Sequence, residues 1–154
     1  MPRFAWVLML GLMAGPASAD LAEDALVLIN QQRAAAGCPA LRMQPQLLAA
    51  AKGHASAMAT QNFFSHTSKN GAKFNQRIRA QGYNGKLAEN IAAGYGNASD
   101  VVENWMKSSG HRRNIMTCGF TETGLAVVYQ ADDQPIKGNS GALRYYWVQT
   151  FGRP

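Results

Sequence analysis

The hydrophobic pattern of this chain changes period towards its C-terminus, and this change limits the folds open to it. Up to Gly110 the apolar residues recur at helical spacings, whereas residues 124–129 and 144–151 are short runs rich in β-branched and aromatic residues. A polar connection containing Pro and Gly joins the two runs, so we expect an antiparallel hairpin with a long loop. Helices first and strands last predict a single α+β domain.

The helical part divides at glycine and proline residues. Four segments have the spacing of amphipathic helices or follow helix-capping residues; they cover residues 20–36, 45–62, 72–80 and 97–110. Gly37 and Gly110 are the predicted ends of the first and last of these helices. His111 then lies just beyond a helix. Residues 82–96 are rich in Gly and Asn and are predicted to form an ordered loop.

The N-terminus has the layout of a secretory signal peptide. Arg3 precedes a short apolar run, residues 5–14, and small residues end the segment at Ala19. A membrane anchor is the alternative, but the run is shorter than the roughly 20 residues that a bilayer requires. We therefore predict a signal peptide over 1–19, a mature domain over 20–154 without a transmembrane anchor, and a secreted or periplasmic location.

The cysteine content and the net charge indicate the compartment of this protein and the class of partner that it binds. Cys38 and Cys118 remain in the predicted mature chain, and export to an oxidising compartment favours a disulfide between them; two buried thiols are the alternative. The net charge of +6 favours anionic partners such as cell-wall polymers and lipid headgroups, and is also typical of a solubilising surface. Nucleic acid is not expected as a partner of an exported chain.

Three histidines and one glutamate are the candidates for chemistry. His54 lies on the apolar face of the second helix and is predicted to be a buried, hydrogen-bonded core residue. His66 and His111 follow helix ends, where binding groups are often presented. Glu89 precedes an apolar segment. None of these residues belongs to a short metal or nucleophile motif, so spacing alone does not assign them a role.

Short matches spread along the chain carry a resemblance to a known family. They include Leu28-Ile29-Asn30, His54-Ala55, Ser65-His66, Glu89-Asn90-Ile91-Ala92, Trp105-Met106, Gly110-His111-Arg112 and Tyr146-Trp147. In this order they resemble the compact bacterial branch of the CAP superfamily, which includes the cysteine-rich secretory proteins, over nearly all of residues 24–152. The resemblance implies a three-layer α-β-α sandwich with a small, mainly antiparallel sheet. It adds a further strand or two, around residues 114–120 or beside Glu89.

The resemblance also implies a cleft with two histidines and two glutamates. His66 and His111 match the histidine positions, and Glu89 matches the first glutamate. Ser108 stands at the position of the second glutamate, and Glu103 does not match the motif. His66 and His111 are therefore candidate ligands of a weakly bound Zn²⁺ or other divalent cation, with Glu89 holding a histidine or a bound water by a hydrogen bond.

Three functions remain open for such a cleft. The first is a binding module for an extracellular ligand, with a lipid, a sterol or a cell-wall polymer as candidates. The second is a metal-assisted peptidase, esterase or wall hydrolase, in which His66 or His111 acts as general base and Glu89 orients it. The third is a structural protein of the envelope. We expect binding rather than turnover, and a monomer.

Overall fold

The computed structural model describes residues 18–154. Five helices and four strands follow one another along this part of the chain: α1 (Ser18–Ala35), β1 (Arg42–Met43), α2 (Pro45–Thr60), α3 (Phe74–Ala80), β2 (Lys86–Ala93), α4 (Ala98–Lys107), α5 (Ser109–Met116), β3 (Glu122–Tyr129) and β4 (Tyr145–Arg153). Residues 1–17 lie outside the described residues, so the signal peptide stays a prediction. No helix in residues 18–154 is both long enough and apolar enough to cross a membrane.

The strands form one mixed sheet in the order β1-β3-β4-β2. β4 pairs antiparallel with β3 and with β2, and only the short β1 pairs in parallel, with the start of β3. The β3–β4 hairpin confirms the prediction from the two C-terminal runs. β2 is an edge strand, in which Glu89 lies opposite Thr150 and Asn90 opposite Gln149.

Helices cover both faces of the sheet. α1, α4 and α5 pack on one face around the buried side chains of Trp105 and Trp147. α2 packs on the other face around Met58, and α3 joins the same side through Ile78. This arrangement confirms the α+β, three-layer α-β-α sandwich, because each amphipathic helix buries its apolar side against one face of the sheet.

Three local predictions were wrong. Residues 82–96 are not only loop, because Lys86–Ala93 pair with β4 along their whole length. His111 does not lie beyond a helix: α4 ends at Lys107, extended Ser108 interrupts the backbone, and His111 lies in α5. Residues 114–120 do not form a strand, since their first part completes α5. The resemblance implied a strand there or beside the Glu89 loop; the strand, β2, includes Glu89 itself, and β1 was not predicted.

The predicted disulfide between Cys38 and Cys118 is present, with the two Cα atoms 4.7 Å apart. It joins the turn after α1 to the turn after α5. The buried guanidinium of Arg33 supports the same junction by donating to the backbone carbonyls of Pro39, Ile115 and Phe120. The two elements that carry Cys38 and Cys118 are thereby held together by covalent and polar contacts.

Helix α2 approaches β3 very closely. A Cβ atom added at Gly124 would lie 2.2 Å from the carbonyl carbon of Leu47, a distance that no packed side chain tolerates. Thr150 of β4 donates a hydrogen bond to the carbonyl oxygen of Leu47 at 3.0 Å. Glycine at position 124 therefore sets the spacing between the sheet and the helix that precedes the His66 loop.

Candidate functional site

The carboxylate of Glu89 is the centre of the site. Its side chain is 1% exposed, and each of its oxygens contacts a nitrogen of another residue. Oε1 lies 2.9 Å from His66 Nδ1, and Oε2 accepts a hydrogen bond from Arg77 Nη2 at 2.7 Å. Because an ionised carboxylate only accepts, neutral His66 must carry its proton on Nδ1. The lone pair of His66 Nε2 is then left for a ligand.

Arg77 of α3 connects the carboxylate to the loop between α2 and α3. Its Nη1 donates to the carbonyl oxygens of His66 at 2.8 Å and Ala72 at 3.0 Å. Sequence reasoning missed Arg77. The available signal was the position of Glu89 next to an apolar segment: a carboxylate buried there would require a cationic partner, and residues 72–80 carry two arginines.

His66 lies in that loop with a half-exposed side chain. The residue before it, Ser65, is bonded through its carbonyl oxygen to His54 Nε2 at 2.7 Å. His54 belongs to α2 and is 1% exposed, which confirms the prediction of a buried, hydrogen-bonded histidine. A groove of about 620 Å³ between α2 and α3 is lined by both His54 and Arg77, so it adjoins the supports of the His66 loop.

The first turn of α5 places the backbone of His111 beside β2. Asn90 Nδ2 donates to the carbonyl oxygen of His111 at 3.1 Å, and Asn114 Nδ2 donates to Asn90 Oδ1 at 2.8 Å. Burial and, after it, repulsion from His66 when that ring is protonated lower the pKa of His111, which favours the neutral form of His111.

The outer edge of β2 is closed by side chains from the helices. Trp105 Nε1 donates to the carbonyl oxygen of Ile91 at 3.1 Å, and Asn114 Nδ2 contacts the carbonyl oxygen of Glu89 at 3.3 Å. An unpaired strand edge invites pairing with other chains, and these contacts block it. They also fix the two helices that precede and carry His111 against the strand that carries Glu89.

The structure therefore places Glu89 against His66 and ties His111 to the neighbouring strand residue. Within residues 18–154, no group of three or more His, Cys, Asp or Glu side chains is arranged to hold a metal ion. Glu89 has both oxygens engaged, which leaves two imidazoles as candidate ligands. Glu103 pairs with Lys107 on the exposed side of α4, as expected for a residue that does not match the motif.

A serine nucleophile is not formed in the described part of the chain. Ser65 Oγ accepts a hydrogen bond from the backbone nitrogen of Thr67 at 3.1 Å. No serine hydroxyl in residues 18–154 hydrogen-bonds to an imidazole, the contact that serine hydrolases use to activate the attacking oxygen. The geometry offers imidazoles and backbone groups to a ligand, without an assembled nucleophile.

Comparison with known proteins decides the family. The sequence model of the cysteine-rich secretory protein family, CAP, matches residues 26–151. The chain belongs to the CAP family. Two relatives come from Bacillus subtilis: the protein YkwD is 34% identical over 141 residues, and the membrane protein YlbC is 32% identical over 106 residues. The matches cover 90% and 68% of this chain, but only 49% and 31% of the relatives, so the chain spans half of their length or less.

Solved structures agree with the CAP fold. An extracellular protein containing an SCP domain from Bacillus anthracis has a TM-score of 0.74 at 24% identity, covering 92% of this chain and 45% of that one. An outer surface protein of Borrelia burgdorferi has a TM-score of 0.70 at 23% identity, covering 85% of this chain and 92% of that one. At these identities the likeness supports the fold of the CAP domain.

Proposed function

We propose that this CAP domain is an exported binding module. A divalent cation, with Zn²⁺ as the leading candidate, binds weakly to His66 and His111 in the cleft. An envelope ligand then binds to this cation. The observation that carries the proposal is the 2.9 Å contact between His66 Nδ1 and Glu89 Oε1. A carboxylate behind an imidazole fixes the tautomer and orients the other ring nitrogen for a metal. The chemistry of these donors fits a divalent transition metal.

The protonation states support the same ligands. Metal binding requires neutral imidazoles, and the lowered pKa of His111 keeps that ring neutral at neutral pH. The charge of Glu89 is balanced by Arg77, so the carboxylate supports His66 without competing for the metal. Two protein ligands make a weaker site than the three or four of typical zinc centres.

An open site of this kind favours binding over turnover. A cation bound by two imidazoles would have free coordination positions for a carboxylate, phosphate or hydroxyl oxygen of a cell-wall polymer, and would polarise that oxygen. The buried carboxylate of Glu89 already accepts from two donors, so it is poorly placed to take a proton from water.

Export is supported by three observations. The N-terminus has the layout of a signal peptide, the Cys38–Cys118 disulfide suits an oxidising compartment, and two structural neighbours are described as extracellular or outer-surface proteins. We therefore place the mature domain outside the cytoplasm, as a secreted or periplasmic protein.

Calorimetry with Zn²⁺ tests the proposal on the mature domain. We expect saturable binding that is lost in His66→Ala and in His111→Ala and retained in the control Glu103→Gln, whose carboxylate is exposed and pairs with Lys107. Unchanged affinity in both histidine variants would remove the metal site. Turnover of peptide, ester or wall substrates that a chelator stops would favour the hydrolase. Retention on envelope polymers without zinc binding would favour the structural role.

A second, apolar groove favours a lipid as a further ligand. It has a volume of about 520 Å³ between α1, α2 and β3, and its lining includes Leu26, Leu48 and Leu125 with Lys52. A fatty acid would bury its chain there and could place its carboxylate near the lysine. Displacement of a fluorescent fatty acid, weakened in Leu48→Gln and not in His66→Ala, is the expected result; equal displacement in both variants would count against this groove.

A further inference from the structure

We infer that His54 is a positioning residue for His66. Its Nε2–H donates to the carbonyl oxygen of Ser65 at 2.7 Å and fixes the peptide that presents the His66 imidazole to Glu89. This inference rests on the proposed function, because it concerns the geometry of the same cleft. It assigns a role to a residue that the family motifs and the sequence pattern leave in the core.

The chemistry of the contact fixes the state of the ring. A carbonyl oxygen only accepts hydrogen bonds, so the proton of neutral His54 must be on Nε2. Nδ1 is then an acceptor, and it is buried without a hydrogen-bond partner among the described residues. Burying an unpaired acceptor is unfavourable, and an apolar side chain would avoid this cost. Apolar residues do occupy the neighbouring positions of the same helix face: Ala51, Ala55 and Met58. The contact with Ser65 is the feature that an apolar side chain at position 54 could not supply.

Three elements converge on two consecutive loop residues. His54 of α2 holds the carbonyl of Ser65, and Arg77 of α3 holds the carbonyl of His66 at 2.8 Å. Glu89 of β2 holds the imidazole itself. The two held carbonyl groups belong to the peptides before and after the Cα atom of His66, so both peptide orientations are fixed and the direction of the imidazole is determined by its side-chain torsions. Without His54, only the peptide that follows His66 keeps its anchor.

The ring of His54 is itself held in place. Phe63 packs edge-on against it, with the ring centroids 5.9 Å apart and the planes at 68°. The phenyl ring comes from the loop that leads to Ser65, so the same short segment contacts His54 through an aromatic edge and through a carbonyl. His54 therefore acts on the start of the loop, and Arg77 on the part that follows.

Three substitutions of His54 separate the hydrogen bond from core packing. In His54→Gln the side-chain amide nitrogen can occupy the position of Nε2 and donate to Ser65. In His54→Asn the same amide group reaches only the position of Nδ1, so the donor is lost while polarity is kept. His54→Leu keeps an apolar volume without any donor. Gln and Asn form the matched pair, because they differ in reach and not in chemistry.

The first readout is Zn²⁺ affinity by calorimetry on the mature domain, alongside the urea midpoint of each variant. We expect His54→Gln to bind within about threefold of the parent, and the Asn and Leu variants at least about tenfold more weakly, as for other residues that orient a metal ligand indirectly. Loss in the Gln variant equal to that in the Asn variant would overturn the inference. So would parental affinity in the Asn and Leu variants.

The second readout is the tautomer of His66 from ¹⁵N NMR without metal, which keeps the inference separable from the proposed function. We expect the Nδ1–H tautomer in the parent and in His54→Gln, and a mixture of tautomers in the other two variants. Absence of zinc binding by the parent defeats the proposed function, while the NMR comparison still decides on His54. Should the Asn and Leu variants not fold, the Gln variant decides: loss of its Nδ1–H signal overturns the inference.

Discussion

Arg77 and Glu89 form an ion pair at 2.7 Å in which the arginine side chain is 12% exposed and the glutamate side chain 1%. The two residues lie on different elements, α3 and β2, so the pair forms only when these elements pack together. Each partner compensates the desolvation of the other, and both also contact His66. The pair thus joins the stability of the domain to the shape of the cleft.

Substitution of Glu89 by glutamine should therefore destabilise the protein strongly. The amide keeps the size of the side chain but leaves Arg77 without its counter-charge in a buried place. Breaking one side of a buried pair costs about 3–5 kcal/mol, and we expect a loss of that size in the free energy of unfolding, measured in urea.

Glu103→Gln is the matched control for that substitution. Glu103 also pairs with a cation, Lys107, but the two side chains are 62% and 74% exposed. Exposed pairs contribute little, so the free energy of unfolding should be almost unchanged. Similar losses in the two variants would contradict the structural role of the Glu89–Arg77 pair.

Ser108→Glu should strengthen zinc binding. Ser108 precedes α5 as its N-cap residue, and His111 follows in the first turn of the same helix. A carboxylate at this position can lie beside His111 and add a ligand or orient the ring, so we expect an affinity gain of about tenfold by calorimetry. Ser109→Glu carries the same charge one residue further along and serves as the control. Equal gains in both variants would indicate a general effect of charge.

The stability of the domain should fall in mild acid because of His54. Burial and, after it, the charge of Arg77 lower the pKa of His54, against the opposing effects of Glu89 and the Ser65 hydrogen bond. Because the folded-state pKa is below the unfolded value of about 6.5, the stabilisation is complete above that pH. It is lost as the pH falls through the folded-state pKa.

Urea unfolding of the parent and of His54→Gln, from about pH 7.5 down to about pH 4.5, measures this effect. The glutamine variant cannot take up the proton, so its free energy of unfolding should depend less on pH over the same range. Parallel pH profiles for the two proteins would show that other groups cause the acid sensitivity.

Substitution by alanine should have opposite effects on stability at two glycines, one that contacts α2 and one within it. Gly124→Ala drives a Cβ atom into the backbone of Leu47, so we expect loss of folding or a large drop in melting temperature. Gly53 lies inside α2, and a Cβ atom there would meet nothing within 4 Å. Gly53→Ala should therefore stabilise the helix by up to about 1 kcal/mol. A stabilising Gly124→Ala would be incompatible with the close approach of α2 and β3.

Removal of the disulfide by Cys38→Ala with Cys118→Ala should lower the free energy of unfolding by about 3–5 kcal/mol, because the bridge closes a loop with a sequence separation of 80. Urea unfolding with and without a reducing agent provides the internal control. The reductant should destabilise the parent and leave the double variant unchanged; an equal effect on both would mean that the bridge contributes little.

Local sequence pattern predicted those parts of the fold that local interactions specify. The apolar face of α2, the β-branched and aromatic runs of β3 and β4 and the core position of His54 can be recognised within one element. β2 does not, because Glu89-Asn90 and the alanines around them have weak strand propensity, and pairing with β4 makes them a strand. His111 was misplaced because the break falls at Ser108, where an extended backbone starts a new helix.

The sequence named candidate residues for the site but not the residues that support them. His66, Glu89 and His111 could be named by resemblance, which carries information that a single sequence does not display. Arg77 could not be assigned to Glu89, since the partner of a buried charge is chosen by the packing of α3 on the sheet. The same holds for Asn90 and Asn114, whose amide groups join β2 to α5.

The position of Glu89 and Asn90 in one paired strand has a consequence for how this domain can vary. Neighbouring strand residues point to opposite faces of the sheet. Glu89 therefore contacts His66 on one side, and Asn90 donates to the carbonyl oxygen of His111 on the other. Insertions in the long β3–β4 connection would leave this division untouched. A single inserted residue within β2 would exchange the two faces and dismantle the cleft, so homologous domains that keep the cleft should differ in loop length but not in the length of this strand.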